Sequence, residues 1–127
     1  MFIADTDVLI DFLRGAGEAE RISIELNTGR LCTTAVTAFE LWAGAKTSQQ
    51  VSVVETLLGA VTVLPLDMAA ARRAGEVRRE LEPMGIQIGM ADSLIAGIAL
   101  EQGAILITRN RKHYQRVPSL KLSGQYH

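Results

Sequence analysis

Short apolar segments alternate with longer segments of helical character along this chain, and that order constrains its fold more than any other feature. The clearest apolar segments are Phe2–Asp5, Leu31–Thr33, Val61–Leu64 and Ala104–Ile107. Helical segments between strands act as crossovers, which parallel strands need and antiparallel hairpins do not. The sequence therefore predicts an α/β fold whose central, mainly parallel sheet of four to five strands carries helices on both faces. Leu120–Leu122 is the weak fifth strand, expected at the sheet edge.

The predicted helices fill the intervals between these strands. They are Val8–Leu13, Glu18–Asn27, Ala35–Lys46, Val51–Leu58, Met68–Glu82 and Gly89–Gln102. Asp7 and Asp67 are placed to cap the first and fifth helices, because an Asp side chain accepts hydrogen bonds from the free amides of a first turn. Gly59 and Gly103 are expected to end the fourth and sixth. The last helix is apolar nearly all round, which predicts that it is buried against the sheet.

Length, charge and cysteine content narrow the class of protein. A chain of 127 residues fits a single domain, here residues 1–127, since domains commonly have about 100 to 150 residues. The formal net charge of −1 gives the molecule no overall attraction for nucleic acid, so any such contact depends on a local basic patch. A single cysteine, Cys32, excludes an internal disulfide and a cysteine-rich zinc site and fits a reducing cytoplasm.

No targeting or membrane segment is expected. The N-terminal sequence lacks the basic region of a signal peptide. The longest strongly apolar run, Leu94–Leu100, is far shorter than the ~20 residues that cross a bilayer. We therefore expect a cytoplasmic protein without a membrane partner.

Four acidic or amide residues stand where predicted elements begin or end. Asp5 and Asn110 follow strands, Glu40 lies in the second turn of the third helix, and Asp92 lies on the inward face of the last helix near its start. Because parallel strands end along one edge of an α/β sheet, where ligand sites form, these side chains are expected to converge there. Oxygen ligands without a His or Cys cluster favour Mg²⁺ or Mn²⁺ over zinc. His113 is interpreted as a surface or packing residue.

Each of these residues also has a structural interpretation. Asp5 and Asn110 are residue types common in turns at strand ends. Asp92 would complement the helix dipole in a first turn, and Glu40 would complete a Thr37-x-x-Glu40 capping box if the helix began there. Two points favour a site. The inward carboxylate of Asp92 lies on a very apolar helix and needs a partner there. The residues before Thr37 indicate that the helix containing Glu40 starts earlier than a capping box at Thr37 would require.

Four sequence blocks carry a resemblance to a known family. They are Asp5–Asp11 (DTDVLID), Thr34–Leu41 (TAVTAFEL), Asp92–Leu100 (DSLIAGIAL) and Thr108–Tyr114 (TRNRKHY). In these blocks, and in their order along essentially the whole chain, the sequence resembles the PIN-domain nucleases, most closely the VapC-type toxins of toxin–antitoxin pairs. The resemblance implies a PIN-like three-layer sandwich, in which the sheet lies between two helical layers.

The resemblance also implies which residues form the metal site. It implies that Asp5 and Asp92 bind the divalent ion most directly and that Glu40 completes the acidic pocket. It further implies that Thr6 and Thr108 line that pocket.

The remaining site residues follow from the same resemblance. Asn110 occupies the place of the family's fourth catalytic residue, which is often Asp. Its carbonyl oxygen can coordinate a metal or accept a hydrogen bond, but it adds no negative charge. Whether the site holds one metal ion or two therefore stays open. Asp7 stands where the family often has Asn or Ser. The resemblance implies that it accepts a hydrogen bond outside the direct ligands of the metal. Arg109 and Arg111 flank Asn110 and are the first candidates for phosphate contact.

The function implied by the resemblance is that of a Mg²⁺- or Mn²⁺-dependent endoribonuclease, which cleaves RNA by attack of an activated water on a phosphodiester. The implied partners are the RNA substrate, a small cognate antitoxin whose tail blocks the groove, and a second copy of the chain in a homodimer. Trp42 lies in the helix beside that groove, so part of its side chain is expected to be exposed.

Three other functions are kept as alternatives. An RNA-maturation nuclease fits the same residues. A catalytically silent PIN-like binding module fits as well, because Asn110 dilutes the acidic set. A phospho-receiver domain shares the length and the doubly wound sheet, but it requires an Asp after the third strand and a Lys after the fifth. Asp67 lies beyond Pro65 in a capping position and Lys121 lies inside the last strand, so neither matches.

Overall fold

The computed structural model describes residues 1–17 and 19–123. In this part of the chain the strands are β1 (Phe2–Ala4), β2 (Leu31–Thr34), β3 (Thr62–Leu64), β4 (Ile105–Ile107) and β5 (Lys121–Leu122). They form one sheet in the order β3-β2-β1-β4-β5, and every neighbouring pair is parallel. The predicted parallel sheet with a short fifth strand at its edge is therefore confirmed.

Helices connect the strands and cover both faces of the sheet. They are α1 (Thr6–Arg14), α2 (Ala19–Asn27), α3 (Ala35–Gly44), α4 (Ser48–Ala60), α5 (Met68–Leu81), α6 (Met90–Gln102) and α7 (Arg111–Tyr114), with a 3₁₀ turn at Glu82–Met84. One hydrophobic cluster joins α5, α6 and α7 to one face, and a second joins α1 to α4 to the other. These are the three layers that the resemblance implied. None of the helices in the described residues is both long enough and apolar enough to span a membrane.

Alternating side chains of the central strands enter the two clusters. Ile3 and Leu106 belong to one cluster, Ala4 and Ile107 belong to the other, and all four are fully buried. Successive side chains of a strand face opposite sides of a sheet, so a strand covered on both faces needs apolar residues at every position. This is why the strands appear in the sequence as continuous apolar runs.

The direction in which the chain adds strands to the sheet reverses between the neighbouring strands β1 and β4. From β1 the chain continues through β2 and β3, whereas from β4 it continues to β5 at the other edge. Ala4 pairs with Ile107, so both strands end at the same level. The connections diverge to opposite faces at such a point, and ligands of open α/β sheets bind in the crevice left between them.

Two predicted helix ends are observed. Asp67 Oδ1 accepts a hydrogen bond from Ala70 N at 2.9 Å and so caps α5. Gly103 ends α6 in the left-handed conformation, with φ of +60°, which glycine adopts without steric cost.

The predicted cap of the first helix is wrong. Asp5, not Asp7, caps α1, because the Asp5 carboxylate accepts a hydrogen bond from Thr6 N at 2.8 Å. The helix therefore starts at Thr6, and Asp7 lies in its first turn.

Two further features of the helices differ from the prediction. Gly59 lies inside α4, where packing of the buried Leu57 and Leu58 outweighs the roughly 1 kcal/mol that an interior glycine costs. The short α7 is missing from the prediction, because its polar residues show no apolar periodicity. The predicted start of the second helix, Glu18, lies outside the described residues.

Candidate active site

Asp5 occupies the crevice between β1 and β4. Its backbone extends the pairing of the two strands, since Asp5 N donates to Ile107 O at 2.9 Å. Its carboxylate joins two elements, because Oδ1 accepts from Thr6 N at 2.8 Å and Oδ2 accepts from Thr108 Oγ1 at 2.7 Å. The structure therefore brings together Asp5 at the end of β1 and Thr108 at the end of β4.

Asp5 is a buried carboxylate with two other carboxylates nearby. The pKa of Asp5 rises from 3.8 to about 6, chiefly because the side chain is buried and in part because the carboxylates of Asp7 and Asp92 are near. Hydrogen bonds from Thr108 and Thr6 act in the opposite direction. A buried carboxylate is costly without a counter-charge, so positive charge would be stabilised at this position.

Glu40 faces the same crevice from α3. Thr34 caps this helix, with its Oγ1 accepting from Thr37 N at 3.1 Å, so Glu40 lies in the second turn and the capping-box interpretation is wrong. Thr6 Oγ1 donates to Glu40 Oε1 at 2.6 Å. Thr6 is thus bonded to Asp5 through its backbone and to Glu40 through its side chain.

Asp92 enters the site from the first turn of α6, the helix that leads into β4. The hydroxyl of Tyr114 donates to Asp92 Oδ1 at 3.0 Å. Tyr114 is fully buried, and burial, followed by the charges of Asp5 and Asp92, raises the pKa of its phenol far above its ordinary value. The phenol therefore stays protonated and serves as a permanent hydrogen-bond donor to the acidic crevice.

His113 is exposed, as a surface residue would be, and its ring also contacts the site. Its Nδ1 is 3.0 Å from Asp92 Oδ2 and 2.9 Å from Asn110 Nδ2. The segment that follows β4 therefore supplies two neighbouring side chains, those of His113 and Tyr114, to the one carboxylate of Asp92.

Asp7 and Asp11 hold Arg109 from α1. Asp7 Oδ2 accepts from the backbone N of Arg109 at 3.1 Å, and Asp11 Oδ2 lies 2.7 Å from Arg109 Nε. Burial, the largest influence, raises the pKa of Asp7. Asp11 is buried, whereas the Arg109 side chain is 55% exposed. Arg109 is therefore fixed at one end and accessible beside the crevice.

Asn110 and Arg111 make mainly structural contacts. Asn110 N donates to Thr108 Oγ1 at 2.9 Å, which shapes the exit from β4. Arg111 Nη1 donates to the carbonyl oxygen of Ser123 at 2.6 Å. This bond turns the Arg111 side chain toward the end of β5, so Arg109 is the better placed of the two predicted phosphate ligands.

Hydroxyl groups rather than direct contacts join the acidic side chains. Among the residues that the structure describes, no three His, Cys, Asp or Glu side chains are grouped closely enough to form a ready metal cluster. Each carboxylate instead accepts a hydrogen bond from one hydroxyl: Glu40 from Thr6, Asp5 from Thr108 and Asp92 from Tyr114. The crevice is therefore a concentration of oxygen ligands, not a closed cage.

Three residues of the site are missing from the sequence prediction: Asp11, His113 and Tyr114. A signal for Tyr114 exists, because it is an isolated aromatic within the cationic stretch 109–116, and an aromatic in such a stretch tends to be the residue that faces the core. Asp11 follows Asp7 by four residues and so shares its helix face. No local pattern distinguishes His113 from a surface residue.

A family model for the PIN domain matches residues 2–119. This chain belongs to the PIN-domain family. Among PIN-domain proteins, it is 35% identical over 124 residues to the tRNA(fMet)-specific endonuclease VapC of Shigella flexneri, with 94% of each chain covered. It is 33% identical to the protein of the same name from Salmonella typhimurium, with 95% of each chain covered. The resemblance to VapC-type PIN domains is thus confirmed.

Solved PIN-domain structures share the fold over almost the entire chain. The DNA-bound VapBC structure from Salmonella typhimurium matches with a TM-score of 0.87 and 32% identity, over 96% of each chain. VapBC-1 from nontypeable Haemophilus influenzae matches with a TM-score of 0.84 and 31% identity, again over 96% of each chain.

Proposed function

We propose that this PIN-domain protein is an endoribonuclease that acts as the toxin of a VapBC-type toxin–antitoxin pair. The observation that supports the proposal is that Asp5, Glu40 and Asp92 face the crevice between β1 and β4, where each carboxylate accepts a hydrogen bond from a hydroxyl of another residue. Relatives aligned over nearly their full length are named ribonucleases or, in two cases, a tRNA(fMet)-specific endonuclease. Hydrolysis of a phosphodiester is a reaction to which a crevice of oxygen ligands is suited.

The donor set fits a divalent cation, and we assign Mg²⁺ or Mn²⁺ to Asp5, Asp92 and Glu40. These carboxylates are the hard oxygen ligands that both ions prefer. Burial, and to a smaller extent the carboxylates of Asp7 and Asp92, raises the pKa of Asp5, so a cation would be stabilised beside it. Asp7 Oδ1 is a buried oxygen without a hydrogen-bond partner in the described residues. When bound, the ion would polarise a phosphate oxygen and lower the pKa of a water molecule.

The side chains around the crevice supply the remaining functions. Arg109 is positioned to hold a substrate phosphate, because Asp11 orients its Nε while most of the guanidinium side chain stays exposed. Glu40 and Asp92 are the two candidates for the base that takes a proton from the attacking water. Asn110 supplies a neutral amide at the place of the fourth catalytic residue, so the site has one negative charge fewer than an Asp would give.

An exposed apolar surface on α3 fits the protein partners that this proposal requires. Phe39 and Trp42 are 69% and 46% exposed, and with Leu58 and Val63 they line a depression of about 870 Å³. Contiguous exposed aromatics of this kind mark interaction sites. The solved relatives are VapBC complexes. We therefore propose that this chain binds a small cognate antitoxin and forms a homodimer. Co-purification tests the antitoxin, and sedimentation tests the homodimer.

The test is cleavage of total RNA by purified protein with Mg²⁺, with Mn²⁺ and with EDTA, followed by mapping of the fragment ends. We expect discrete cuts that require the ion and that disappear in Asp92→Asn, because one ligand charge is lost while the shape of the side chain is kept. Asp67→Asn is the matched control, since Asn caps a helix as well as Asp does.

This experiment, together with growth on expression, separates the alternatives. An Asp92→Asn protein with full activity would refute the assignment of Asp92. A wild-type protein that never cuts RNA would refute the ribonuclease and favour the catalytically silent binding module. Cleavage without growth arrest on expression would favour an RNA-maturation nuclease over a toxin.

A further inference from the structure

A cleft rich in cations and amides opens beside Asp92, next to the acidic crevice. It is lined by residues of two segments: Gly85, Ile86 and Gln87 from one, and Lys112, His113, Gln115 and Arg116 from the other. We call this the cationic cleft. Its volume is about 420 Å³, which is within the range of small-ligand sites, roughly 300–1,000 Å³. We propose that the cationic cleft binds the nucleotide adjoining the scissile phosphate of a single-stranded RNA, an inference that rests on the proposed ribonuclease function.

The charge of the cleft favours a phosphate. Lys112 and Arg116 lie four residues apart, both side chains are exposed, and no carboxylate of the described residues lines the cleft. Neither cation forms an ion pair within residues 1–17 and 19–123, whereas Arg72 and Arg73 on α5 pair with Glu76 and Glu101. The cleft therefore concentrates unpaired positive charge on a molecule whose net charge is −1.

His113 makes the cleft continuous with the acidic crevice. It lines the cleft, and its Nδ1 lies 3.0 Å from Asp92 Oδ2. A phosphate held by Lys112 and Arg116 would thus belong to a nucleotide next to the bond being cut, and not to a distant part of the RNA.

The other groups of the cleft suit a nucleobase. The amides of Gln87 and Gln115 can donate to and accept from a base edge, and the half-exposed imidazole ring of His113 is a surface on which a base can stack. Single-stranded RNA presents phosphates and splayed bases together, which is the combination that the cleft provides for. The apolar surface of Phe39 and Trp42 lies on α3, in the opposite helical layer, so a protein partner there leaves the cleft accessible.

The experiment measures the affinity of a fluorescein-labelled single-stranded RNA by anisotropy between about 50 and about 200 mM KCl, in EDTA. The parent protein is the cleavage-deficient Asp92→Asn, and the test variant adds Lys112→Gln and Arg116→Gln. The matched control adds Arg72→Gln and Arg73→Gln, which removes the same charge from α5. Circular dichroism checks that each variant is folded.

We expect the test variant to bind the RNA more weakly. The slope of log affinity against log salt concentration should be shallower by about 1.4, because each of the two lost phosphate contacts with a single strand contributes about 0.7. The control should keep the slope of the parent. Lys112→Glu alone should weaken binding further than Lys112→Gln. Equal slopes for all three proteins would overturn the cleft as an RNA site. Wild-type cleavage of RNA, measured separately, shows whether a negative result concerns only the cleft or the ribonuclease function as well.

Discussion

At the scale of single residues, the site is an acidic crevice held together by neutral donors. Each of the three carboxylates accepts a hydrogen bond from a hydroxyl: Glu40 from Thr6, Asp5 from Thr108 and Asp92 from Tyr114. Hydroxyl donors fix the direction of a carboxylate without cancelling its charge, so the attraction for a cation is retained. The buried carboxylate of Asp5, whose pKa is raised, is therefore expected to destabilise the fold when no cation is bound.

Asp5→Asn is expected to stabilise the protein in the absence of divalent ions. An Asp whose pKa rises from 3.8 in the unfolded chain to about 6 in the fold lowers the free energy of unfolding as pH increases between these values. The full effect, present above pH 6, corresponds to about 3 kcal/mol. Thermal unfolding in EDTA should therefore show Asp5→Asn melting above wild type at neutral pH, with the difference shrinking near pH 4.

The control for this prediction is Asp67→Asn, a substitution of the same chemistry at an exposed helix cap. Its melting temperature should follow wild type at neutral pH, because Asn caps a helix about as well as Asp does. An Asp5→Asn protein that melts below wild type at neutral pH would show that the carboxylate is not under electrostatic stress.

Tyr114→Phe tests whether the phenol orients Asp92. The substitution keeps the buried ring and removes the hydroxyl that donates to Asp92 Oδ1. Loss of such an outer hydrogen bond commonly lowers metal affinity or activity by about 10- to 100-fold, while stability changes by about 1 kcal/mol. Cleavage rates and Mn²⁺ affinity, compared with chemical denaturation of the same protein, would separate the two effects. An unchanged rate and affinity would exclude an orienting role.

At the scale of elements, α1 and the loop after it control the position of Arg109. Gly17 has a φ of +55°, and a Cβ there would lie 2.4 Å from Asp11 Oδ2. Gly17→Ala should displace the Asp11 carboxylate and loosen Arg109, so RNA cleavage should fall together with stability. Gly15→Ala is the matched control, because its φ is +66° but a Cβ there meets nothing within 4 Å.

Both substitutions place a side chain in the left-handed region, at a cost of about 1–2 kcal/mol. Urea denaturation measures this shared cost, and the difference between the variants reports the contact with Asp11. If Gly15→Ala impaired cleavage as much as Gly17→Ala, backbone strain rather than the position of Asp11 would be responsible.

The packing of α5 against α6 depends on a second glycine. A Cβ on Gly97 would lie 2.5 Å from Ala70 O and 2.8 Å from Ala74 N, both backbone atoms that cannot move aside easily. Gly97→Ala should cost about 1–3 kcal/mol of unfolding free energy, as overpacked cores do. Gly75→Ala, on the open side of α5, should instead stabilise by about 0.5–1 kcal/mol. Equal effects of the two substitutions in urea denaturation would contradict this close approach.

The elements were more predictable from sequence than their ends and their side-chain partners. The central strands have apolar residues on both faces, and that pattern is visible without coordinates. The cap of α1 was not, because Asp5 and Asp7 are the same residue type two positions apart, and the contact of Asp5 with Thr108 joins residues far apart in the sequence. The contact of Tyr114 with Asp92 joins residues of two different helices, so no local sequence pattern predicts it.

At the scale of the whole molecule, topology determines where the chemistry lies. The reversal of strand order between β1 and β4 opens a crevice at one edge of the sheet, and the residues that follow both strands enter it. Parallel connections bring α3 and α6 to the same crevice from opposite layers, which places Glu40 and Asp92 on its two sides. The cationic cleft adjoins this acidic crevice through His113, whereas the apolar surface of Phe39 and Trp42 lies on α3.

The most direct measurement is a calorimetric titration of Mn²⁺ into wild type, Asp5→Asn, Asp92→Asn and the remote control Asp67→Asn. If the crevice between β1 and β4 holds the ion, wild type and Asp67→Asn will bind Mn²⁺ alike, and both site variants will lose most of that affinity. Binding of equal strength by all four proteins would contradict a metal site built from these carboxylates.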